Sequence, residues 1–542
     1  MQPVTPDSDD TGNESGKRTS AHGAVPGRDY NLLPYLSLPA AFTQPAHLGA
    51  LAALHGLQAP VAEQARVLEL GCASGGNLIP LAARFPGARF LGLDLSQRQI
   101  NDGQRRIAAL GLDNIVLRQG DLVEATFAGD PFDYIICHGV FSWVPKVAQD
   151  AILRLCATHL AAEGIAAISY NVLPGWHLRQ VVRDICLRYA GNDGTPQERV
   201  RKARAALEQI ASSARPSESY GMLVRAEAKR IGRQPASYIL GEFLAPDNTP
   251  CLFSDFVAAA GGHGLGYLCE ADLQASTPEL LDPDIQSRMA ALGGEHRLAT
   301  EQHADFLTGR PFRRSILVRA ERMRALQPML IAAALPALHV ASQLSFDAAS
   351  SSESVAVYRD SQGRAIVAET FSTRRALGRL ADTYPATLTW DELLLPNARS
   401  DSQGHAKARA LLGDTLLAML ARGQATASTV RLQVGRAPTE LPRAWPLARL
   451  EVAEGQRWVT TLQHVAVPLP RPVALLLSLL DGSHDRRSLT SHLVDALRRG
   501  EVKLAQGDPA SAEEGQLQAI AAKYVERALL FLAANALLEP VV

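Results

Sequence analysis

An acid, a run of small residues and a second acid stand at spacings suited to holding a nucleoside: Glu69, then Gly71, Cys72, Ala73, Ser74, Gly75, Gly76 and Asn77, then Asp94 followed by Leu95. Small residues let a ligand lie against bare backbone where larger side chains would intrude. Val67, Leu68 and Leu70 read as an apolar strand running into that turn. Leu78, Leu81, Ala82 and Phe85 read as one face of a helix leaving it, stopped by Pro86 and Gly87. Proline lacks an N–H and fits only near a helix start, so Pro80 puts the first turn close to Asn77 and points free backbone donors back at the glycines. Asp94 lies 25 residues after Glu69, near the spacing at which an acid on the neighbouring strand tip bonds a ribose; the plainer reading is a turn residue.

The elements that must position these residues alternate along the chain. Arg89 to Leu93 reads as a second buried strand, with Ser96 and Gln99 as a capping box for the next helix. Asn114 to Leu117 is a third, leading to Gly120, Asp121 and Leu122. Phe132 to Cys137 is a fourth, leading to His138 in HGVFSWV, and Gly164 to Tyr170 a fifth, ending in NVLPGW. Strand and helix in alternation predict an α/β fold whose parallel sheet is covered on both sides, with every named loop on its carboxyl edge. Upstream, Tyr30, Tyr35 and Phe42 belong to an aromatic, proline-rich arm before a helix opening near Pro45. That arm either lies over the ligand or packs on the core.

Composition bounds the rest. At roughly 150 residues per domain, 542 residues suggest about three or four units, and 47% hydrophobic content is ample for their cores. With 54 basic and 55 acidic residues, no global charge steers the chain to nucleic acid or a bilayer. The six cysteines show no CxxC or short Cys/His spacing, which argues against a disulfide framework and a zinc site and fits a reduced cytoplasm. The longest apolar run, Met329 to Ala341, is interrupted by Pro336 and His339, so no membrane span is expected; no apolar leader opens the chain, which argues against secretion. Residues 1 to about 28, rich in Ser, Asp, Gly and Thr, are expected to be a disordered tail.

Two nucleotides compete for the glycine turn. A dinucleotide GxGxxG maps to Gly71, Ala73 and Gly76; an ExGxGxG for S-adenosylmethionine maps to Glu69, Gly71, Ala73 and Gly75, with the same replacement. Gly120 with Asp121 and then FDYIICHG decide for the second, and over Arg66 to about Arg179 the chain resembles the class I, Rossmann-like methyltransferases. YNLLPYLSLPAAFTQPAHL, ELGCASGGNLIPLA, HGVFSWVP and SYNVLPGWHLR, followed by SYILGEFLAPDNTPCLFSDF and EQHADFLTGRPFRRSILVR, resemble bacterial methyltransferases with a methyltransferase regulatory domain. Rickettsial lysine methyltransferases of outer-membrane protein are similar in this respect. The resemblance implies that Glu69, Gly71, Ala73 and Gly75 hold the methionine half of S-adenosylmethionine, that Asp94 takes the ribose, and that Asp121 accepts from the adenine amino group. It puts His138 beside the sulfonium, and Tyr35, Cys72, Asn77, Leu95 and Leu122 around the cofactor.

A sulfonium methyl is already activated, so the chemistry asks mainly for alignment of the acceptor. For a lysine acceptor a partly dry aromatic pocket helps its amine lose a proton. Phe141, Trp143, Tyr170, Asn171 and Trp176 are candidates for such a channel, with Tyr170 or Asn171 orienting the amine and His138 a less favoured base. The alternative for Trp143 and Trp176 is that they anchor helix starts. A class I sheet needs a sixth and an antiparallel seventh strand, assigned to Leu265 to Cys269 and Arg314 to Val318. Residues about 190 to 262 then form a charged helical insertion, either gripping an acceptor protein or a second subunit of a homodimer, or presenting a solvated face. The boundaries expected are a methyltransferase domain over 29–322, a winged-helix-like α+β unit over 323–430 and a small helical or winged unit over 431–542, with low-charge linkers near 399–404 and 435–446. No metal and no nucleic-acid partner is expected. The reading reached is methylation of lysine on a protein acceptor; the alternatives are a small-molecule acceptor or a non-catalytic cofactor-binding scaffold.

Overall fold

A computed structural model describes residues 34–276, 287–288, 291–292, 296–394, 402–437, 439–503 and 514–540. The expected disordered tail, Tyr30 and the start of the linker near 399–404 lie outside them. An arm without regular structure leads through the short turn Ala41–Thr43 into α1 (Pro45–Leu54). That helix is apolar nearly all round, and it is correspondingly buried on nearly every side.

The sheet follows in the expected alternation. Its first part runs β1 (Arg66–Leu70), α2 (Leu78–Arg84), β2 (Arg89–Asp94), α3 (Gln97–Leu110), β3 (Ile115–Gln119), β4 (Phe132–Cys137), α4 (Lys146–His159) and β5 (Leu160–Asn171). Next come α5 (Gly175–Ala190), α6 (Pro196–Ser213), α7 (Ser219–Gly232), α8 (Ala236–Phe243), α9 (Phe253–Gly262), β6 (Leu265–Glu270) and β7 (Phe312–Arg319). The seven strands stand in the order β3-β2-β1-β4-β5-β7-β6. β1 to β5 pair in parallel, and β7 runs antiparallel to both β5 and β6, as the two late strand signals required. Strand order reverses between β1 and β4, so the crevice above their carboxyl ends is where such a sheet takes a ligand.

The two faces of the sheet are distinct. Leu68, Leu70, Ile135, Tyr170, Phe256 and Tyr267 share one apolar cluster with α4 and α9. Val67, Ile136 and Ala167 face the other way, into a larger cluster with α1, α2 and the middle of the chain. The stretch expected to be a helical insertion, about 190–262, is helical: α6, α7 and α8 close with α5 around Val182, Leu207, Val224 and Phe243, whereas α9 belongs to the sheet. Beyond β7, the sheets β11-β10-β9 and β12-β8-β13 combine β8 (His339–Ala341), β9 (Leu344–Phe346), β10 (Ala356–Asp360), β11 (Ala365–Ala368), β12 (Leu388–Thr389) and β13 (Thr426–Ser428). A 20-residue helix, Ser402–Ala421, occupies much of what read as linker and the stretch after it, because its Leu412, Leu416 and Met419 bury against that unit. The second expected linker is likewise committed: Ala444 bridges Leu538 and Arg443 bridges Asp481. The last unit joins the hairpin β14 (Trp458–Thr460) and β15 (Ala466–Pro468) to the helices Arg471–Leu479, Arg486–Arg498 and Glu514–Ala534 around its own core. Among the described residues no helix is long and apolar enough to cross a membrane.

Candidate active site

Where β1 ends the chain turns through Gly71, Ala73 and Gly75, at φ of 80°, 50° and 75°. These left-handed conformations favour glycine, and Ala73 adopts one at a cost of about 1 kcal/mol. The carboxylate of Asp94, at the end of β2, holds it there: Ala73 N–H donates to Oδ2 at 2.8 Å and Ser96 N–H to Oδ1 at 2.9 Å. Ser96 does cap α3 by accepting from Gln99 N–H, but its own N–H goes to Asp94, so the expected capping box is completed by the acid rather than by Gln99. Gly76 is needed for another reason. A methyl there would stand 2.2 Å from the Ser37 carbonyl oxygen, because the arm crosses the turn at that point and Ser37 Oγ accepts from Gly76 N–H at 2.8 Å.

Beneath the turn, Glu69 is fully enclosed. Its Oε1 accepts from Asn77 Nδ2 at 2.9 Å, while its Oε2 is buried with no protein partner. Burial pushes its pKa up to about 8, against the lowering effect of the Asn77 hydrogen bond and with a further push from Asp94. An enclosed carboxylate oxygen without a donor is costly, and it suits a ligand that brings a cation or an N–H. Leu95, 63% exposed at the end of β2, offers an apolar surface for a flat ring. Asp121 is exposed beyond β3, with Oδ1 accepting from Val123 N–H at 2.8 Å, and Leu122 is half-buried beside it. Cys72 is directed into the core: a methyl on Gly92 would meet its Sγ at 2.6 Å, and its N–H is taken by the Leu93 carbonyl. Tyr35 lies against Gly241 of α8, on the arm two residues before Ser37.

At the end of β4, His138 Nδ1 lies 2.8 Å from Ser169 Oγ, which also accepts from Gly139 N–H. Burial, with the nearby Arg314 charge, brings the His138 pKa down to about 4. Its ring meets Phe42 edge-on at 4.9 Å and Phe312 at 6.4 Å, and Arg314 lies over both of those phenylalanines. Residues opposite each other in a ladder share a face, and successive residues alternate. Ser169 pairs with Arg314 and Asn171 with Phe312, so these four stand on the His138 side. Tyr170 pairs with Arg313 and falls on the far side. There its ring stacks on Phe256 at 3.9 Å and its hydroxyl pairs with Ser315, so Tyr170 is set in the core and Ser169 takes the place beside His138. Asn171 Nδ2 donates to Asn248 Oδ1 at 3.0 Å. Trp143 and Trp176 pack edge to face at 5.6 Å against Ala245, Trp176 at the start of α5, which is the helix-anchoring alternative.

The fold therefore assembles Glu69, Gly71, Ala73, Gly75, Asn77 and Asp94 at one crevice with His138 and Asn171 at its neighbour. Ser37, Ser169, Phe312, Arg314 and His464 join them without having been singled out. Period-two alternation would have found Ser169 from Asn171. His464 had no local signal, since its Nε2 reaches Asn77 Oδ1 at 2.8 Å across 387 residues of sequence.

Three family descriptions match: a methyltransferase domain over 67–164, a predicted methyltransferase regulatory domain over 235–319, and the PKMT C-terminal winged helix domain over 440–537. The uncharacterized protein RP789 of Rickettsia prowazekii is 38% identical over 289 residues, 53% of this chain and 52% of its own length, so the alignment spans about half of that relative. RP028 of the same organism, also uncharacterized, is 35% identical over 232 residues, 43% of this chain and 93% of its own. The structure of PKMT2 from Rickettsia typhi in complex with AdoHcy shares the fold, with a TM-score of 0.82 over 93% of this chain and 100% of that one at 24% identity. The glycine turn, the seven-strand order and the three matched regions lead to one conclusion: the chain belongs to the S-adenosylmethionine-dependent methyltransferases that carry a methyltransferase regulatory domain and a PKMT-type C-terminal winged helix.

Proposed function

We propose that this chain transfers the methyl group of S-adenosylmethionine to the side-chain amine of a lysine in a protein acceptor. The observation that carries the reading is the buried, partnerless Oε2 of Glu69 under a turn of left-handed residues. It matches the ammonium of the cofactor's methionine half. Asp94 retains free lone pairs for ribose hydroxyls, Leu95 offers its exposed side chain to the adenine face, and Asp121 stands where the adenine amino group would be met. When bound, the cofactor supplies a sulfonium methyl already activated for displacement.

The protein's part is positioning and drying. Phe42 and Phe312 wall the end of β4, and Asn171, its amide fixed by Asn248, is assigned to orient the amine. A lysine ammonium, with an ordinary pKa of about 10.4, must shed its proton before attack, and apolar walls with the Arg314 cation nearby disfavour the charged form. His138, pulled down to about 4, cannot hold that proton at neutral pH, so it serves as a neutral partner of Ser169 and the proton leaves to solvent. The protein acceptor is supported by the fold shared with PKMT2 along nearly the whole chain. Incubation with methyl-labelled S-adenosylmethionine and a cell extract should label lysines in protein, located by mass spectrometry of digests. Label confined to small metabolites would replace the acceptor, and no label in either fraction would leave a binding scaffold.

A further inference from the structure

Three non-glycine residues among those described have positive φ, and one of them, His464 at 62°, reaches the buried amide of Asn77. His464 stands in the turn between β14 and β15, its N–H on the Thr461 carbonyl at 2.9 Å, and its ring is buried against the catalytic sheet's first crossover. A residue held in a sparsely populated conformation by its surroundings points to a specific contact. That contact is Nε2 to Asn77 Oδ1 at 2.8 Å, on an oxygen that also accepts from Ala40 N–H at 3.0 Å and shares the Thr43 hydroxyl hydrogen with the Ala40 carbonyl. Burial and the nearby Arg84 charge bring the His464 pKa down to about 3, so the ring is neutral and carries one N–H.

The Asn77 amide has one orientation, Oδ1 on the Ala40 N–H and Nδ2 toward Glu69 Oε1, since a flip would set the amide's own donors against that backbone N–H. We propose that His464 is a positioning residue: its Nε2–H orients Asn77, Asn77 fixes Oε1 of Glu69, and Oε2 is thereby held toward the aminoacyl end of the cofactor. The proposal rests on the reading of this crevice as an S-adenosylmethionine site. The winged-helix unit so completes a site that lies otherwise in the methyltransferase sheet. The turn is seated independently of the imidazole, because Arg84 Nη1 donates to Gln44 Oε1 and the Leu462 carbonyl, and Gln44 Nε2 donates to the Gln463 carbonyl.

The test is calorimetry on the full chain with two probes, S-adenosylhomocysteine and 5′-methylthioadenosine, which lacks the aminoacyl end. His464→Asn tolerates a left-handed backbone but falls short of Asn77. It is expected to weaken S-adenosylhomocysteine about tenfold, as for one lost charge-coupled hydrogen bond, and to leave methylthioadenosine within about twofold. His464→Gln, which keeps an amide donor at similar reach, should retain both affinities within about threefold. Equal weakening of both probes, or no change, overturns the proposal, as does a folded Gln variant that loses S-adenosylhomocysteine as the Asn variant does. Wild-type protein that binds neither probe overturns the cofactor reading itself, which sets the two failures apart.

Discussion

At the scale of single residues, Glu69 trades stability for binding. Its carboxyl, at about 8 in the folded chain against 4.5 ordinarily, holds its proton more tightly when folded. Its contribution to stability is therefore full below pH 4.5 and is lost as pH rises to about 8. Glu69→Gln removes that loss, so the ligand-free variant should melt above wild type at about pH 9, by on the order of a few kcal/mol, and the two should converge in acid. The same variant should bind S-adenosylhomocysteine more weakly, a pairing of gain and loss common at binding sites. Ala73 offers the opposite case. At φ 50° a glycine relieves the crowded Cβ, so Ala73→Gly should raise the free energy of unfolding by about 1 kcal/mol in urea titration.

At the scale of elements, β5 and β7 divide labour by parity. Ser169 and Asn171, with Arg314 and Phe312 opposite, face the site; Tyr170 and Arg313 face the α9 side. There Arg313 is wholly buried, donating to Glu270, Glu301 and Asp305, with its guanidinium 3.8 Å from the centre of the Phe253 ring. Burial opposes the charge on both partners, but the acids outweigh it and hold Arg313 firmly charged, and Arg313 with its hydrogen bonds outweighs it and holds the Glu270 pKa low. Arg313→Met would strand three enclosed acids and should cost about 3–5 kcal/mol, read as a lowered urea midpoint. Tyr170→Phe removes only the hydroxyl on Ser315, so it should lower stability by about 1 kcal/mol and leave the rate of methyl transfer within about twofold.

At the scale of the whole molecule, the sheet and the last unit touch where the cofactor is assigned. Besides His464, an ion pair of 2.6 Å joins Arg106 of α3 to Glu454, and Gln44 and Arg84 grip the turn carrying Leu462 and Gln463. A ligand that binds the folded chain stabilises it by mass action, about 2.7 kcal/mol at about 100 times its Kd. S-adenosylhomocysteine should therefore raise the melting temperature, and the added protection from hydrogen exchange should include residues 461–466 as well as the glycine turn. Protection confined to the sheet would mean that the last unit does not share in binding.

The strands, the glycine turn and the antiparallel seventh strand were legible because each is a local pattern: apolar runs of strand length, small residues where the backbone must turn, acids at strand tips. Local pattern also suggested the helical stretch after α5. It failed where the deciding contact lies far along the chain. The turn after β1 reads in the sequence as bare backbone for a ligand, but Ser37 lies over its Gly76 and Asp94 props its Ala73, and neither partner is near in sequence. In the sequence Tyr170 reads as a site residue because it ends a strand; which way it points follows from the register of β5 on β7. The residues by themselves determined the sheet and the kind of ligand it offers to hold. Only the tertiary structure decided which side chains stand around that ligand, since hydrogen-bond partners such as Asn77 and His464 are selected by packing between units and leave no periodicity to read.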